Sequence, residues 1–167
     1  LLDMKKILLA LAIFTSVQVA DAQVKSAADA KKAVEAAEAA AKNEKKAIKV
    51  ATWIKLGQEY VKAYDAPTGS VIPGASKTEL SLMMGSEKAQ STEVVTINGE
   101  QYEKNVYADK NHYFNAKGQL AIIEVTQPVY DDALEKATDA YQKADECDTK
   151  QTEVKDIAEA YKQIADK

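Results

Sequence analysis

The chain has 167 residues, of which 46% are hydrophobic and 29% are charged, and its net charge is −4. This balance is ordinary for a globular domain, and the absence of a separate Lys/Arg block argues against a nucleic-acid-binding protein. The single cysteine, Cys147, excludes an intrachain disulfide and a multi-cysteine metal site, and the single histidine, His112, excludes a histidine-rich metal site.

The first 22 residues have the features of a secretory signal peptide. Lys5 and Lys6 precede a short apolar run over 7–17, and a small-x-small pattern ends at Ala22. We therefore expect residues 1–22 to be removed, leaving Gln23 first in an exported protein, either periplasmic or secreted. The alternative is a membrane anchor, but the apolar run is short for a span. No cysteine follows the run, so a lipoprotein is not expected, and we expect no transmembrane segment in the mature chain.

Residues 23–65 form the first predicted region, which is helical. Ser26 followed by Asp29 is typical of a helix start. A break at Asn43 and Glu44 separates predicted helices at about 26–42 and 45–65, although one continuous helix is the alternative. The first of these helices is expected to act as an N-terminal capping helix that packs against the second.

Residues 66–128 form a predicted α+β insertion. Ser76 and Glu79 form a capping box, which predicts a short helix ending at Gly85. Asn98-Gly99 between β-rich runs predicts a tight hairpin, and a second hairpin turns at 115–118. The sequence therefore predicts an antiparallel meander of three or four strands.

Residues 129–167 return to a helical period, with a break near Asp148 and Thr149 and a further helix from about Glu153. The predicted fold class is mainly α with a small β insertion.

A glycine inside the second predicted helix needs an explanation, because glycine costs about 1 kcal/mol there relative to alanine. Trp53, Leu56, Gly57 and Tyr60 follow the spacing W-x2-L-G-x2-Y. This motif resembles the first helix of a tetratricopeptide repeat (TPR), in which the glycine admits a close antiparallel partner helix. The resemblance extends to later residues and gives this packing set: Trp53, Leu56, Gly57, Tyr60, Ala137, Tyr141, Ala144, Val154, Ile157, Ala158 and Tyr161.

The resemblance implies an exported bacterial type of TPR protein whose first repeat is split by the insertion, so that TPR-like antiparallel helix pairs accompany the meander. An array needs about three repeats for stability, and the chain is therefore interpreted as the N-terminal part of a longer protein. A generic helical bundle with an α+β insertion is the alternative.

By the same resemblance, the function is that of a non-enzymatic protein–protein interaction scaffold without a cofactor, which binds a protein or peptide. The groove-facing positions would be Ala51, Ile54, Gln58, Val61 and Lys62. Some of these positions would instead be covered if the N-terminal helix packs over them.

Aromatic residues concentrate in the predicted sheet. They either pack the meander against the helices or form a platform for a glycan or another ligand, which is the rival function: Tyr102, Tyr107, Tyr113 and Phe114. His112 is predicted to lie on the hairpin surface and Cys147 to be half-buried. No set of catalytic residues stands out, so we do not expect an enzyme.

Overall fold

The computed structural model describes residues 26–69 and 71–167, so the predicted signal peptide lies outside the described residues. Within these ranges the chain forms six helices and a four-stranded antiparallel sheet. The helices are α1 (Ala27–Ala41), α2 (Glu44–Ala47), α3 (Val50–Asp65), α4 (Lys77–Met84), α5 (Ala133–Cys147) and α6 (Val154–Ala165). The strands are β1 (Ser91–Ile97), β2 (Glu100–Val106), β3 (Lys110–Phe114) and β4 (Leu120–Val125).

Five of these helices form one unit, which we call the helical body: α1, α2, α3, α5 and α6. Its most extensive contact joins α3 to α5, although about 70 residues separate them in sequence. Helix α1 packs on α3, and α6 packs on both α3 and α5. Small side chains dominate the core between these helices, which allows close approach.

The N-terminal helices follow local signals. The Ser26 side chain accepts a hydrogen bond from the Asp29 amide and caps α1, as the sequence predicts. Asn43 caps α2 in the same way through the amide of Lys45. The predicted helix over 45–65 is wrong in one respect, because Ile48 and Lys49 separate the single turn of α2 from α3. The break at Asn43 is confirmed.

The remaining elements form a second unit, which we call the insertion: α4 and the sheet β1-β2-β3-β4. The predicted capping box of Ser76 and Glu79 is present at the start of α4. The predicted hairpin is also confirmed, since Asn98 and Gly99 have φ values of 51° and 85° between β1 and β2. A two-residue turn in which both residues have positive φ matches the twist of the paired strands.

The insertion has a small core of its own. Phe114 and Leu120 of the sheet pack with Leu80 of α4 and with Ala75. None of these residues belongs to the core of the helical body. The aromatic side chains of the sheet were expected to pack the meander against the helices, and Phe114 packs against Leu80 of α4.

The chain leaves and re-enters the helical body at neighbouring points. Ala66, just after α3, and Val129 and Tyr130, just before α5, all pack against the helical core. Pro67 is fully buried. The described chain is thus a mixed α and β structure: a helical body with an α+β segment inserted between α3 and α5.

Candidate functional site

A close contact between α3 and α5 lies at the centre of the helical body. A Cβ atom placed on Gly57 would lie 2.2 Å from Cε1 of Tyr141, a separation that real atoms do not adopt. The Tyr141 ring is fully buried and also meets the Tyr161 ring of α6 edge-on, with centroids 5.5 Å apart. The Tyr141 ring of α5 therefore contacts both α3 and α6, and only glycine at position 57 leaves room for it.

The start of α3 is tied to the end of α5. The Trp53 indole donates a hydrogen bond from Nε1 to the carbonyl oxygen of Ala47 at 2.7 Å. The thiol of Cys147, half-buried as predicted, donates to the same oxygen at 3.5 Å. Both side chains thereby fix the α2 turn against the helix pair.

The end of α3 is anchored where the insertion returns. The Tyr60 ring meets the Tyr130 ring edge-on at 5.5 Å, and its hydroxyl donates to the carboxylate of Glu38. Burial raises the pKa of Tyr60, and the hydrogen bond to Glu38 raises it further. This phenol therefore stays protonated at neutral pH and links α1, α3 and the segment before α5.

The predicted packing residues are mostly buried, and the exceptions lie on α6. Ile157 is buried and Tyr161 is half-buried, but Val154 is 52% exposed and Ala158 is also exposed. Helix α6 packs on α3 and α5, and no other described helix packs on it to a comparable extent. The remaining residues of the set are buried or half-buried: Trp53, Leu56, Gly57, Tyr60, Ala137, Tyr141 and Ala144.

A groove of about 830 Å³ runs between α3 and α6, and we call it the α3–α6 groove. Ala51 and Ile54 give it an apolar surface. A smaller pocket of about 500 Å³ continues along the same two helices toward their C-terminal ends. There, the ammonium group of Lys167 contacts both carboxylate oxygens of Asp65, at 2.8 and 2.7 Å.

The two walls of the groove differ in net charge. The α3 wall has three exposed lysines, of which Lys62 pairs with the buried Glu59 of the same helix at 3.1 Å, and the α6 wall carries three carboxylates. Glu153 and Asp156 are neighbours on this wall, and a hydrogen bond with Asp156 is the main cause that raises the pKa of the Glu153 carboxyl. The lysines are Lys49, Lys55 and Lys62, and the carboxylates are Glu153, Asp156 and Glu159.

The loop between α5 and α6 is held rigid at one end of the groove. Asp148 accepts hydrogen bonds from the amides of Thr152 and Glu153, at 2.9 and 2.8 Å, and from the Thr152 hydroxyl. Burial acts to raise the pKa of the Asp148 carboxyl, but these hydrogen bonds outweigh it and the pKa is lowered. The ionised carboxylate therefore fixes the direction in which α6 begins.

Four of the five residues that the sequence assigned to partner binding line this groove: Ala51, Ile54, Gln58 and Lys62. The fifth, Val61, is only 5% exposed and belongs to the helical core, although it borders the continuation of the groove. Helix α1 covers part of the other side of α3, where Ala51 also borders a cleft between the two helices.

The α6 wall was not identified from the sequence, although a signal for it exists. Glu159 and Gln163 follow Val154 by five and nine residues, the same offsets at which Gln58 and Lys62 follow Trp53. Aligning the two helices on their apolar pattern would have given Glu159 and Gln163 the positions equivalent to Gln58 and Lys62. The acidic loop residue Asp148 had no comparable signal.

The four aromatic residues of the sheet do not form one surface. Strand register places Tyr113 beside Lys104 on one face, and Tyr102 lies on that same face. The Tyr113 hydroxyl donates to Glu124 at 2.5 Å, and its side chain is only 8% exposed. Tyr107 and Phe114 lie on the opposite face, which α4 covers.

His112 is buried and not on the hairpin surface, so that prediction is wrong. It lies between the rings of Tyr107 and Phe114, with centroids at 4.9 and 6.5 Å, and neither ring nitrogen has a hydrogen-bond partner among the described residues. Burial lowers its pKa to about 4, and the neighbouring Lys110 contributes. Neutral His112 therefore acts as part of the apolar packing under the sheet.

Among the residues that the structure describes, no group of three or more His, Cys, Asp or Glu side chains could hold a metal ion. In the same ranges, no helix combines the length and apolar character needed to cross a bilayer.

Comparisons with protein-family models, with curated proteins and with solved structures find no match to this chain.

Proposed function

We propose that the chain is a non-catalytic, TPR-like interaction scaffold, and that the α3–α6 groove binds an extended peptide segment of a partner protein. The observation that carries the proposal is the groove itself, because it is lined by four of the residues that the sequence assigns to partner binding. In this proposal, α3 and α5 are the two helices of one repeat and α6 is the first helix of the next.

The packing at Gly57 supports the repeat interpretation. The W-x2-L-G-x2-Y motif calls for a glycine that faces the second helix of its own repeat. Gly57 faces Tyr141 of α5, and Ala137 and Ala144 on the same face of α5 are fully buried. A generic bundle would not require these particular residues at the contact.

The charges of the groove favour a particular peptide chemistry. A small apolar side chain fits beside Ala51 and Ile54, and basic side chains would lie along Asp156 and Glu159. Acidic side chains would lie along Lys49 and Lys55, whereas Lys62 already pairs with Glu59 at 3.1 Å. A peptide with a short apolar centre and charges of both signs thus complements the surface, with the charged rims contributing mainly to orientation and association rate.

The N-terminal 22 residues support export as the compartment of this function, in the periplasm or outside the cell. Mass spectrometry of protein recovered from a secreting host should give Gln23 as the first residue. An intact N-terminus that still carries Met4 would contradict export with cleavage.

The binding proposal is tested with a displayed library of random linear peptides, followed by titration of the selected peptides. Ile54→Glu in the groove should weaken binding about tenfold or more. The matched control is Ile72→Glu, which places the same change on a 59% exposed isoleucine of the insertion. Equal affinity of the two variants, or failure to select any peptide, would contradict the proposal.

Ligand binding by the insertion is the second candidate, and Tyr102 on the face that α4 leaves uncovered favours it. Tyr102→Ala should abolish binding to a glycan array if this candidate is correct, while leaving the selected peptides bound to the groove. Burial of Tyr113 and Phe114 limits the aromatic surface that a sugar ring could stack on.

A further inference from the structure

The two edges of the sheet differ in how they are protected. The edge strand β4 is shielded at its start, where Gly74 donates an amide hydrogen bond to the Leu120 carbonyl at 2.7 Å and the Leu120 amide donates to Ala75 at 2.9 Å. A register irregularity between Tyr113 and Phe114 further disrupts that side. Strand β1, with the sequence STEVVTI, pairs with β2 over seven residues without a shift.

Strand β1 lacks the features that usually protect an edge. It contains no proline and no lysine, and its one charged residue, Glu93, forms an ion pair with Lys104 at 3.1 Å. Val94 is 71% exposed, and Thr92 and Thr96 are exposed as well. Among the described elements, β1 makes extensive contact only with β2.

The direction of the backbone groups on β1 follows from the next hairpin. The Tyr107 amide, just after β2, donates to the Lys110 carbonyl at 2.9 Å. Every second residue before Tyr107, beginning with Asn105 and Glu103, therefore directs its backbone groups toward β3. The other residues of β2, from Val106 back to Glu100, hydrogen-bond to β1. Their partners are Ser91, Glu93, Val95 and Ile97.

It follows that Thr92, Val94 and Thr96 direct their amide and carbonyl groups away from the sheet. A second β1 strand that runs antiparallel, with a two-fold axis at Val94, places Val94 opposite itself and Thr92 opposite Thr96. All three outward residues then fall in hydrogen-bonded pairs, which gives roughly six inter-strand hydrogen bonds. The side-chain pairs are Val–Val and Thr–Thr, both favourable across antiparallel strands.

The charge of Glu93 is compensated in this pairing. Glu93 comes opposite Val95 of the second copy, and the two Glu93 side chains are diagonal neighbours on one face. Each Glu93 retains its own Lys104 as a partner. The two-fold contact is also closed, because the edges of the resulting eight-stranded sheet are the two β4 strands, each of which is shielded at its start.

We propose that β1 is a self-association edge, through which two copies of the chain join into one continuous antiparallel sheet. This surface belongs to the insertion and is independent of the α3–α6 groove. The occupant is a second copy, because the antiparallel register about Val94 pairs every outward residue of β1 with a favourable side chain of the same strand.

The first test measures association by sedimentation equilibrium, from about 10 µM to about 1 mM, because an interface of one strand is small and its affinity modest. Val94→Pro removes the outward amide without removing a hydrogen bond to β2, and proline is tolerated at such edge positions. Val94→Thr retains both the amide and the branched side chain. We expect the wild type and Val94→Thr to dimerise and Val94→Pro to be monomeric, with unchanged circular dichroism. A monomeric wild type, or a dimer that survives Val94→Pro, would overturn the proposal.

A second test does not depend on how Val94→Pro folds. In a Cys147→Ser background, Val94→Cys should form a disulfide-linked dimer at least about tenfold faster than Leu82→Cys, which is 80% exposed on α4 and serves as the control. A mixture of Thr92→Cys and Thr96→Cys chains should cross-link to each other, whereas Thr92→Cys alone should not. Equal rates for Val94→Cys and Leu82→Cys would overturn the dimer, and self-linking of Thr92→Cys would overturn its register.

Discussion

The helical body and the insertion are stabilised in different ways. The helical body relies on shape, because small residues let helices approach and one glycine admits the Tyr141 ring. The insertion relies on turns and on a core of only a few side chains around Phe114 and Leu120. Since the two cores share no residue, a change in one unit should leave the other largely folded. Each prediction below tests this separation.

The largest effect is expected from Gly57→Leu. The side chain would overlap the buried Tyr141 ring, and overpacking should lower the free energy of unfolding of the helical body by about 3 kcal/mol or more. Urea denaturation monitored by far-UV circular dichroism measures this. Ala39→Leu, on the exposed side of α1, is the control and should change little. An unchanged midpoint for Gly57→Leu would contradict the packing described here.

The next largest effect is a loss of stability at acidic pH that is confined to the insertion. Folded His112 has a pKa of about 4 against an ordinary value of 6.5, so the unfolded insertion binds a proton that the folded one does not. Stability should be constant above pH 6.5 and fall as pH decreases from about 6.5 to about 4, by about 3 kcal/mol in total. Lys110, Asp109 and Glu87 are the charged groups nearest this ring.

Hydrogen exchange as a function of pH locates this loss. Protection in β2 and β3 should decline below pH 6.5, while protection in α3 and α5 persists. His112→Phe should remove the decline in this range. The carboxyls of Glu79 and Glu124, whose pKa values are lowered from 4.5 by hydrogen bonds, cause loss only at lower pH. A decline that remains in His112→Phe would exclude His112 as its source.

A smaller local effect is expected from Gly99→Val. Gly99 has a φ of 85°, which a β-branched residue adopts only with strain, so the β1–β2 hairpin should lose about 1–2 kcal/mol. Hydrogen exchange should show faster opening of β1 and β2 and unchanged helices. Glu100→Val introduces the same side chain one residue later, within β2, and should be tolerated. Uniform loss of protection across the chain would show that the two units are not separable.

The smallest effect is expected from Tyr141→Phe. The Tyr141 hydroxyl is buried without a hydrogen-bond partner among the described residues, and burial raises its pKa to about 12. Removing the hydroxyl should leave the ring contacts intact and stabilise the helical body by up to about 1 kcal/mol. Thermal melts should show a small increase for this variant and little change for Tyr161→Phe, whose ring is only half-buried. Clear destabilisation by Tyr141→Phe would mean that the hydroxyl has a partner.

Local signals made much of the fold predictable. Ser26 and Ser76 mark the starts of two helices, and Asn98-Gly99 marks a turn, because each of these signals acts within four residues. The contact of α3 with α5 was also predictable, because Gly57 in a helix calls for a close neighbour. The interruption at Ile48 was not, since it is fixed by Trp53 and Cys147 meeting the Ala47 carbonyl.

Burial at specific positions was less predictable, because it depends on distant segments. His112 is buried against Tyr107 and Phe114, and no local pattern shows this. Val61 is covered by its helical neighbours for the same reason. The separation of Tyr102 and Tyr113 from Tyr107 and Phe114 follows from strand register, which the two tight turns determine.

The central claim is that α3 and α5 form one helix pair that folds and binds without the insertion. The direct measurement replaces residues 68–127 with about six Gly/Ser residues, keeps Pro67 and Val129 in place, and compares helical circular dichroism, melting and peptide affinity with those of the full chain. We predict a cooperatively folded helical protein that binds the peptides selected for the α3–α6 groove with affinity within about threefold of the full chain. An unfolded product, or loss of peptide binding by a folded one, would contradict the account.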